Sequence, residues 1–205
     1  MQGYILDIKK AKNEDCIVSL LTPEKIKTLY RFYGARHPIV TTGYKIDFEA
    51  EIDSIQFMPK LRNITHLGYP WLSDIERLRV WQNFILLLYR HLKDVELPGP
   101  FYFEMLEHYA SIWHLQNPKR SAVEAYLRLL EHEGRLHLPD SCFACGRKLE
   151  ERIALIRAYL PAHPGCVIAP KFEAKRVRKA MKSLSTIELD DEEVESLWLT
   201  LNEGF

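Results

Sequence analysis

The sequence predicts an α+β chain, a strand-rich N-terminal third followed by helices, and three observations carry that expectation. Tyr44, Ile46, Phe48, Ala50 and Ile52 alternate with Lys45, Asp47, Glu49 and Glu51, the period of two of a strand with one wet face. Further on, Ile75, Leu78, Trp81, Ile85, Leu88, Leu92 and Val95 recur at steps of three and four, the stripe of a helix that buries one side. Finally, Cys142 and Cys145 are answered, after seventeen intervening residues, by His163 and Cys166. Two ligand pairs at that spacing are the pattern of a zinc clip.

The strand-rich part is expected over residues 1–70. Besides 44–52, β-type runs lie at 4–8, 17–21, 29–33 and 55–58. Turn signals part them: Lys12-Asn13-Glu14-Asp15, Thr22-Pro23-Glu24, His37-Pro38 and Thr42-Gly43. Five or six short strands in about 65 residues suggest a small β-barrel, and the OB-fold is the common oligonucleotide-binding barrel of that size.

Gly68-Tyr69-Pro70 reads as a linker into a helical domain over 71–205. Ser73 and Glu76 have the spacing of a capping box, and Pro98-Gly99-Pro100 stops the first helix. A second helix is expected over 101–116, and a third from Pro118, behind Asn117, to Gly134. A fourth is expected over 148–160, with Leu149, Ile153, Ile156 and Leu160 on one face, and a fifth over 171–184. The last begins at Asp190 or Asp191 and turns Val194, Leu197, Trp198 and Leu201 inward.

With 205 residues, 47% of them hydrophobic, the chain has the make-up of an ordinary globular protein of one large or two small domains. No apolar run has the length of a membrane span, and the start lacks the basic and apolar blocks of a signal peptide. Three clustered cysteines, with Cys16 left over, suit a reducing compartment, so a cytoplasmic location is expected. A phosphate loop, a nucleophile elbow and a His-Glu-x-x-His motif are all missing. Glu104, Glu107 and His108 form at most a diffuse polar face, and His114, His132 and His137 read as surface histidines. The chain is therefore expected not to be an enzyme.

Cys142, Cys145, His163 and Cys166 supply three thiolates and an imidazole, a full tetrahedral set for Zn2+ over the motif 142–166. Four protein ligands close the coordination sphere, which makes such a zinc structural. Gly146 and Gly165 sit where tight ligand turns need backbone freedom.

The net charge is zero, but its distribution is uneven. Residues 141–182 hold ten Lys or Arg against three acids, and residues 183–205 hold seven acids and no Lys or Arg. A basic block followed by an acidic tail suggests an anionic partner and something that limits access to it. Lys171, Lys175, Arg178, Lys179 and Lys182 would share roughly a 100° sector of the fifth helix. In the barrel, Lys25, Lys27, Arg31, Arg36, Lys60 and Arg62 are interleaved with Tyr30, Phe32, Tyr33 and Phe57, the mixture of cations and stacking rings that holds single strands. These eleven cations are the candidate DNA-binding residues. The alternative is a zinc-stabilised module that docks proteins through its helical stripe and binds no DNA.

Glu14-Asp15, Ile17-Val18-Ser19-Leu20-Leu21-Thr22 and Tyr33-Gly34-Ala35-Arg36, followed by helices and Cys142-x2-Cys145-Gly146, resemble the bacterial DNA repair protein family RecO. The resemblance implies an OB-fold joined to a helical domain and a role as a recombination mediator. Such proteins bind single- and double-stranded DNA, anneal complementary strands and work with RecR. They also help load RecA onto strands covered by single-strand-binding protein, at the nucleoid. Zinc-bearing members generally use four cysteines, and here His163 stands at the third ligand position.

Overall fold

The computed structural model describes residues 1–52, 58–95 and 97–205. Five strands, β1 (Gln2–Lys10), β2 (Cys16–Leu21), β3 (Ile26–Arg31), β4 (Lys45–Glu51) and β5 (Lys60–His66), close a barrel in the order β1-β2-β3-β5-β4. The inward residues of β4, Ile46 and Phe48, join Ile5, Val18, Leu20, Leu29 and Leu61 in one buried core, as the alternation requires. The run expected over 55–58 lies mostly outside the described residues, as does Phe57. The fifth strand is β5, whose register against β4 shifts between Asp47 and Glu49; opposite that shift Asn63 is left-handed, at φ 46°.

Two helices follow, α1 (Ile75–Leu92) and α2 (Phe101–Ile112). The α1 cap is Asp74, one residue past the expected Ser73: its carboxylate accepts from the Glu76 and Arg77 amides at 3.0 and 3.2 Å. Of the α1 stripe, Trp81, Ile85, Leu88 and Leu92 are buried, while Ile75 and Val95 are exposed. Within the expected linker at 68–70, Gly68 and Pro70 are exposed while Tyr69 is half-buried and engaged. The Tyr4 hydroxyl donates to Glu107 at 2.6 Å, with the Tyr69 hydroxyl 2.8 Å away, and Lys45 completes the cluster at 2.7 Å from Glu107. Burial, then the Glu107 hydrogen bond, pushes the Tyr4 phenol up. Glu107 thus ties α2 to β1 and β4.

Trp71, Trp81 and Trp113 meet edge to face or tilted, with ring centroids 5.0–6.0 Å apart. The Trp81 indole donates to the Gly43 carbonyl at 2.8 Å. Gly43 has φ +87°, and a Cβ there would sit 2.8 Å from Trp81 Cδ1. No other residue fits that turn without strain.

The chain divides into two compact units, Met1–His114 and Leu115–Phe205. Residue 70, the expected boundary, marks where strands give way to helices; the compact units part only after α2.

The second unit contains α3 (Pro118–His132), β6 (Arg152–Ile156), β7 (Leu160–Ala162), β8 (Lys171–Glu173), α4 (Ala174–Ser183) and α5 (Asp191–Leu201). Asn117 caps α3, and Asp190 and Glu193 form a capping box on α5. The helix expected over 148–160 is a correction: β6 and β7 form an antiparallel hairpin, and β8 pairs with the other edge of β6. Ile153, Ala154 and Leu155 are buried in succession, a strand covered on both faces, and Ala158 and Tyr159 turn the chain at φ 60° and 52°. The fifth expected helix is likewise shorter, because Lys171–Glu173 is strand.

Candidate metal centre and basic faces

Two tight turns of the second unit face each other. In the first, the Gly146 amide donates to the Cys142 carbonyl and the Cys142 amide to the Arg147 carbonyl, both at 2.8 Å. Gly146 takes φ +71°. In the second, the Cys166 amide donates to the His163 carbonyl at 2.9 Å. The β6–β7 hairpin joins the turns, and Phe143 N–H to Pro161 O, at 2.8 Å, stitches the first turn to β7.

The donor atoms of Cys142, Cys145, His163 and Cys166 all lie within 4.8 Å of one another. His163 Nδ1 is 3.4 Å from Cys145 Sγ and 3.8 Å from Cys166 Sγ. A tetrahedral zinc with Zn–S of ~2.3 Å and Zn–N of ~2.0 Å places neighbouring donors ~3.6 Å apart. The imidazole is also oriented for the task. Its Nε2 donates to the Lys148 carbonyl at 3.0 Å, which leaves Nδ1 free to ligate, and such an outer partner usually accompanies a ligating histidine.

The local field favours the thiolate at Cys142 and Cys145 but not at Cys166. Burial raises the Cys142 thiol, but amides of His163, Cys145 and Ala144 outweigh it and bring the pKa down to about 6. The Arg147 side chain lowers Cys145, burial raises Cys166, and the Lys148 carbonyl raises His163. The four residues fit a closed metal site, and a bound zinc would cross-link the two turns and supply no open position for chemistry.

The barrel cations fall into two groups. Lys25 closes the β2–β3 turn, where Thr22 Oγ1 bonds its amide and carbonyl. Lys27 follows on β3, with its ammonium 3.0 Å from Met1 Sδ. At the far end of β3, roughly 13 Å beyond Lys27 at ~3.3 Å per residue, Arg31, Lys60 and Arg62 gather with Phe32. Lys60 and Arg62 lie over the Phe32 ring at 5.7 and 5.8 Å, and Arg62 also pairs with Glu51 at 2.7 Å. Arg31 donates to the Leu61 carbonyl at 3.0 Å and so braces the seam where β3 meets β5. Burial, then Arg62, lowers its pKa. Arg36 is exposed, pairs with Glu14 and lies 5.6 Å over the Tyr33 ring.

In the second unit the single five-cation helical stripe gives way to two elements. Lys171 is on β8, and Lys175 and Lys182 are exposed on α4. Arg178 is drawn to Asp140 and the Pro139 carbonyl, and Lys179 to Glu188. The acidic tail largely answers basic groups of its own unit: Asp190 and Glu193 hold Arg176, Asp191 holds Arg120, and Glu195 holds Lys119. The sequence reading passed over Arg176 and Arg120 because nothing in their spacing marks a buttress between distant helices.

A small closed barrel buttressed by two helices, then a helical unit clipped by a Cys3His group, is the class that fold and site define. Residues 1–72 match the family model described as RecO N terminal. The match covers the barrel and the start of the segment that follows it, and over that stretch the resemblance read from the sequence is borne out. No curated protein matches the chain significantly. Among the described residues, no helix is long and apolar enough to cross a membrane.

Proposed function

We propose that this chain is a recombination mediator of DNA repair. In this reading it binds single- and double-stranded DNA, anneals complementary strands and helps load RecA onto strands covered by single-strand-binding protein. RecR is its partner, its place is the cytoplasm at the nucleoid, zinc is a structural cofactor, and it acts by binding rather than by catalysis. One observation carries the reading: a closed barrel of the RecO N-terminal family gathers Arg31, Lys60 and Arg62 at one end of β3. Lys171, Lys175 and Lys182 offer a second basic face for duplex DNA.

The test is retention on a single-stranded oligonucleotide over a salt series. Replacing Lys60 and Arg62 together with Ala removes up to two phosphate contacts, so the log–log salt slope should shallow by up to ~1.4 units. Replacing Lys171, Lys175 and Lys182 should shallow the duplex slope by up to ~2.7 units. A parent protein that neither DNA form retains overturns the reading and leaves the zinc-stabilised protein-docking module in its place.

A further inference from the structure

The corner that leaves β3 turns two rings toward solvent. Phe32 is 41% exposed and Tyr33 56%, whereas the barrel's other described Tyr and Phe rings, Tyr4, Tyr30, Tyr44 and Phe48, are buried or half-buried. Each ring carries a cation: Lys60 and Arg62 over Phe32, Arg36 over Tyr33. The corner is also held stiffly from below. Asp15 is buried at 8% and uses both carboxylate oxygens on it, accepting from the Tyr30 hydroxyl at 2.5 Å and from the Tyr33 amide at 2.7 Å. Tyr30 in turn meets Phe32 edge-on at 5.1 Å.

Tyr33 sits in the left-handed region at φ 51°, a strained conformation for a residue with a Cβ. Gly34 follows in close contact with β2, where a Cβ would lie 3.0 Å from Cys16 Cβ. A buried carboxylate and a strained backbone thus serve a segment whose side chains do not pack into the core. Packing alone does not account for that arrangement.

We propose that residues 30–36 form a stacking corner for unpaired bases of single-stranded DNA, with Phe32 and Tyr33 as platforms and Asp15 as the positioning residue that sets them. The proposal rests on the single-strand reading above and deepens it. Rings flanked by cations suit a flexible polyanion whose bases are free to stack, because every base has a π-face and the cations meet the neighbouring phosphates. A duplex keeps its bases stacked on one another and can use only the cations.

The experiment measures the affinity of the full chain for a fluorescent oligo-dT strand and for a duplex, each over a salt series. Phe32→Ala should weaken single-strand binding about 5- to 150-fold, the equivalent of ~1–3 kcal/mol for one stacked base. Its salt slope and its duplex affinity should match the parent, because no phosphate contact is removed. Asp15→Ala should show the same signature, and Asp15→Asn, which keeps an acceptor for the Tyr33 amide, should recover most of the loss. Phe32 is exposed, so its variant keeps the fold and the outcome is readable even if Asp15→Ala fails to fold. Phe32→Ala binding like the parent, or losing single strand and duplex equally, overturns the corner and leaves the DNA reading standing. A parent that binds neither form overturns both.

Discussion

Removing the metal from the second unit should unravel the two ligand turns and leave the barrel untouched. The turns comprise about twelve residues, 141–148 and 163–166, most of them exposed. Fixing their backbone costs on the order of 12–24 kcal/mol at ~1–2 kcal/mol per residue. The bonds available to meet that cost are few: Cys142 to Arg147, Gly146 to Cys142, Phe143 to Pro161 and Cys166 to His163. At ~0.5–1.5 kcal/mol net each they return roughly 2–6 kcal/mol. The remaining gap, on the order of 6–22 kcal/mol, spans the ~10–16 kcal/mol apparent binding energy of structural zinc in small peptides. Metal analysis of protein purified without chelator should therefore find one zinc per chain. Chelation or Cys145→Ala should abolish hydrogen-exchange protection at the Cys142, Gly146 and Cys166 amides, while those of β1 to β5 keep theirs. Substantially less than one zinc, or unchanged protection in the metal-free protein, would refute this reasoning.

Three further expectations concern single groups. Tyr4→Phe removes a buried donor to the Glu107 carboxylate and should cost the first unit ~1.5–3 kcal/mol; a denaturant midpoint indistinguishable from the parent would show the hydroxyl idle. Gly43→Ala forces a Cβ onto Trp81 at φ +87°. It should destabilise by more than ~2 kcal/mol, read as a lower thermal midpoint with perturbed tryptophan fluorescence. Acid should strip the metal. Without metal the Cys142 thiol already lies at about 6, and a bound cation competes with protons and holds the thiolate lower still, so release requires acid below that value. Dialysis over a pH series, followed by metal analysis, should show the site loaded at neutral pH and emptied only below about 6; loss of the metal above that value would contradict the assignment.

The barrel and α1 were legible because their periods are clean, and the Cys3His group because four donor residues at clip spacing carry their chemistry in their identity. β5 was harder to see. Its buried Leu61 and half-buried Ile64 are three apart, since left-handed Asn63 breaks the alternation opposite the β4 register shift. The β6–β7 hairpin deceived for the opposite reason. Leu149, Ile153, Ile156 and Leu160 happen to fall at helical spacing, while the decisive features, burial on both faces and a left-handed pair at Ala158 and Tyr159, are properties of the folded chain. Arg31 and Arg178 read as free cations because sequence shows charge but not the carbonyl that claims it. The Asp15 anchor likewise needed coordinates, for its partners lie fifteen and eighteen residues away.

The indole bond from Trp81 to Gly43 also bears on what can be inherited as a module. The family match ends at residue 72, just ahead of α1, so the stretch recognisable by ancestry is shorter than the compact unit Met1–His114. Excised there, the barrel would forfeit the Trp81 and Gln82 donors to the Gly43 and Thr42 carbonyls. Tyr4 would keep Tyr69 but lose Glu107. Any chain that borrows this barrel must therefore bring its own floor, and the helices that provide it can diverge in sequence so long as they deliver those few donors and the carboxylate to the same places.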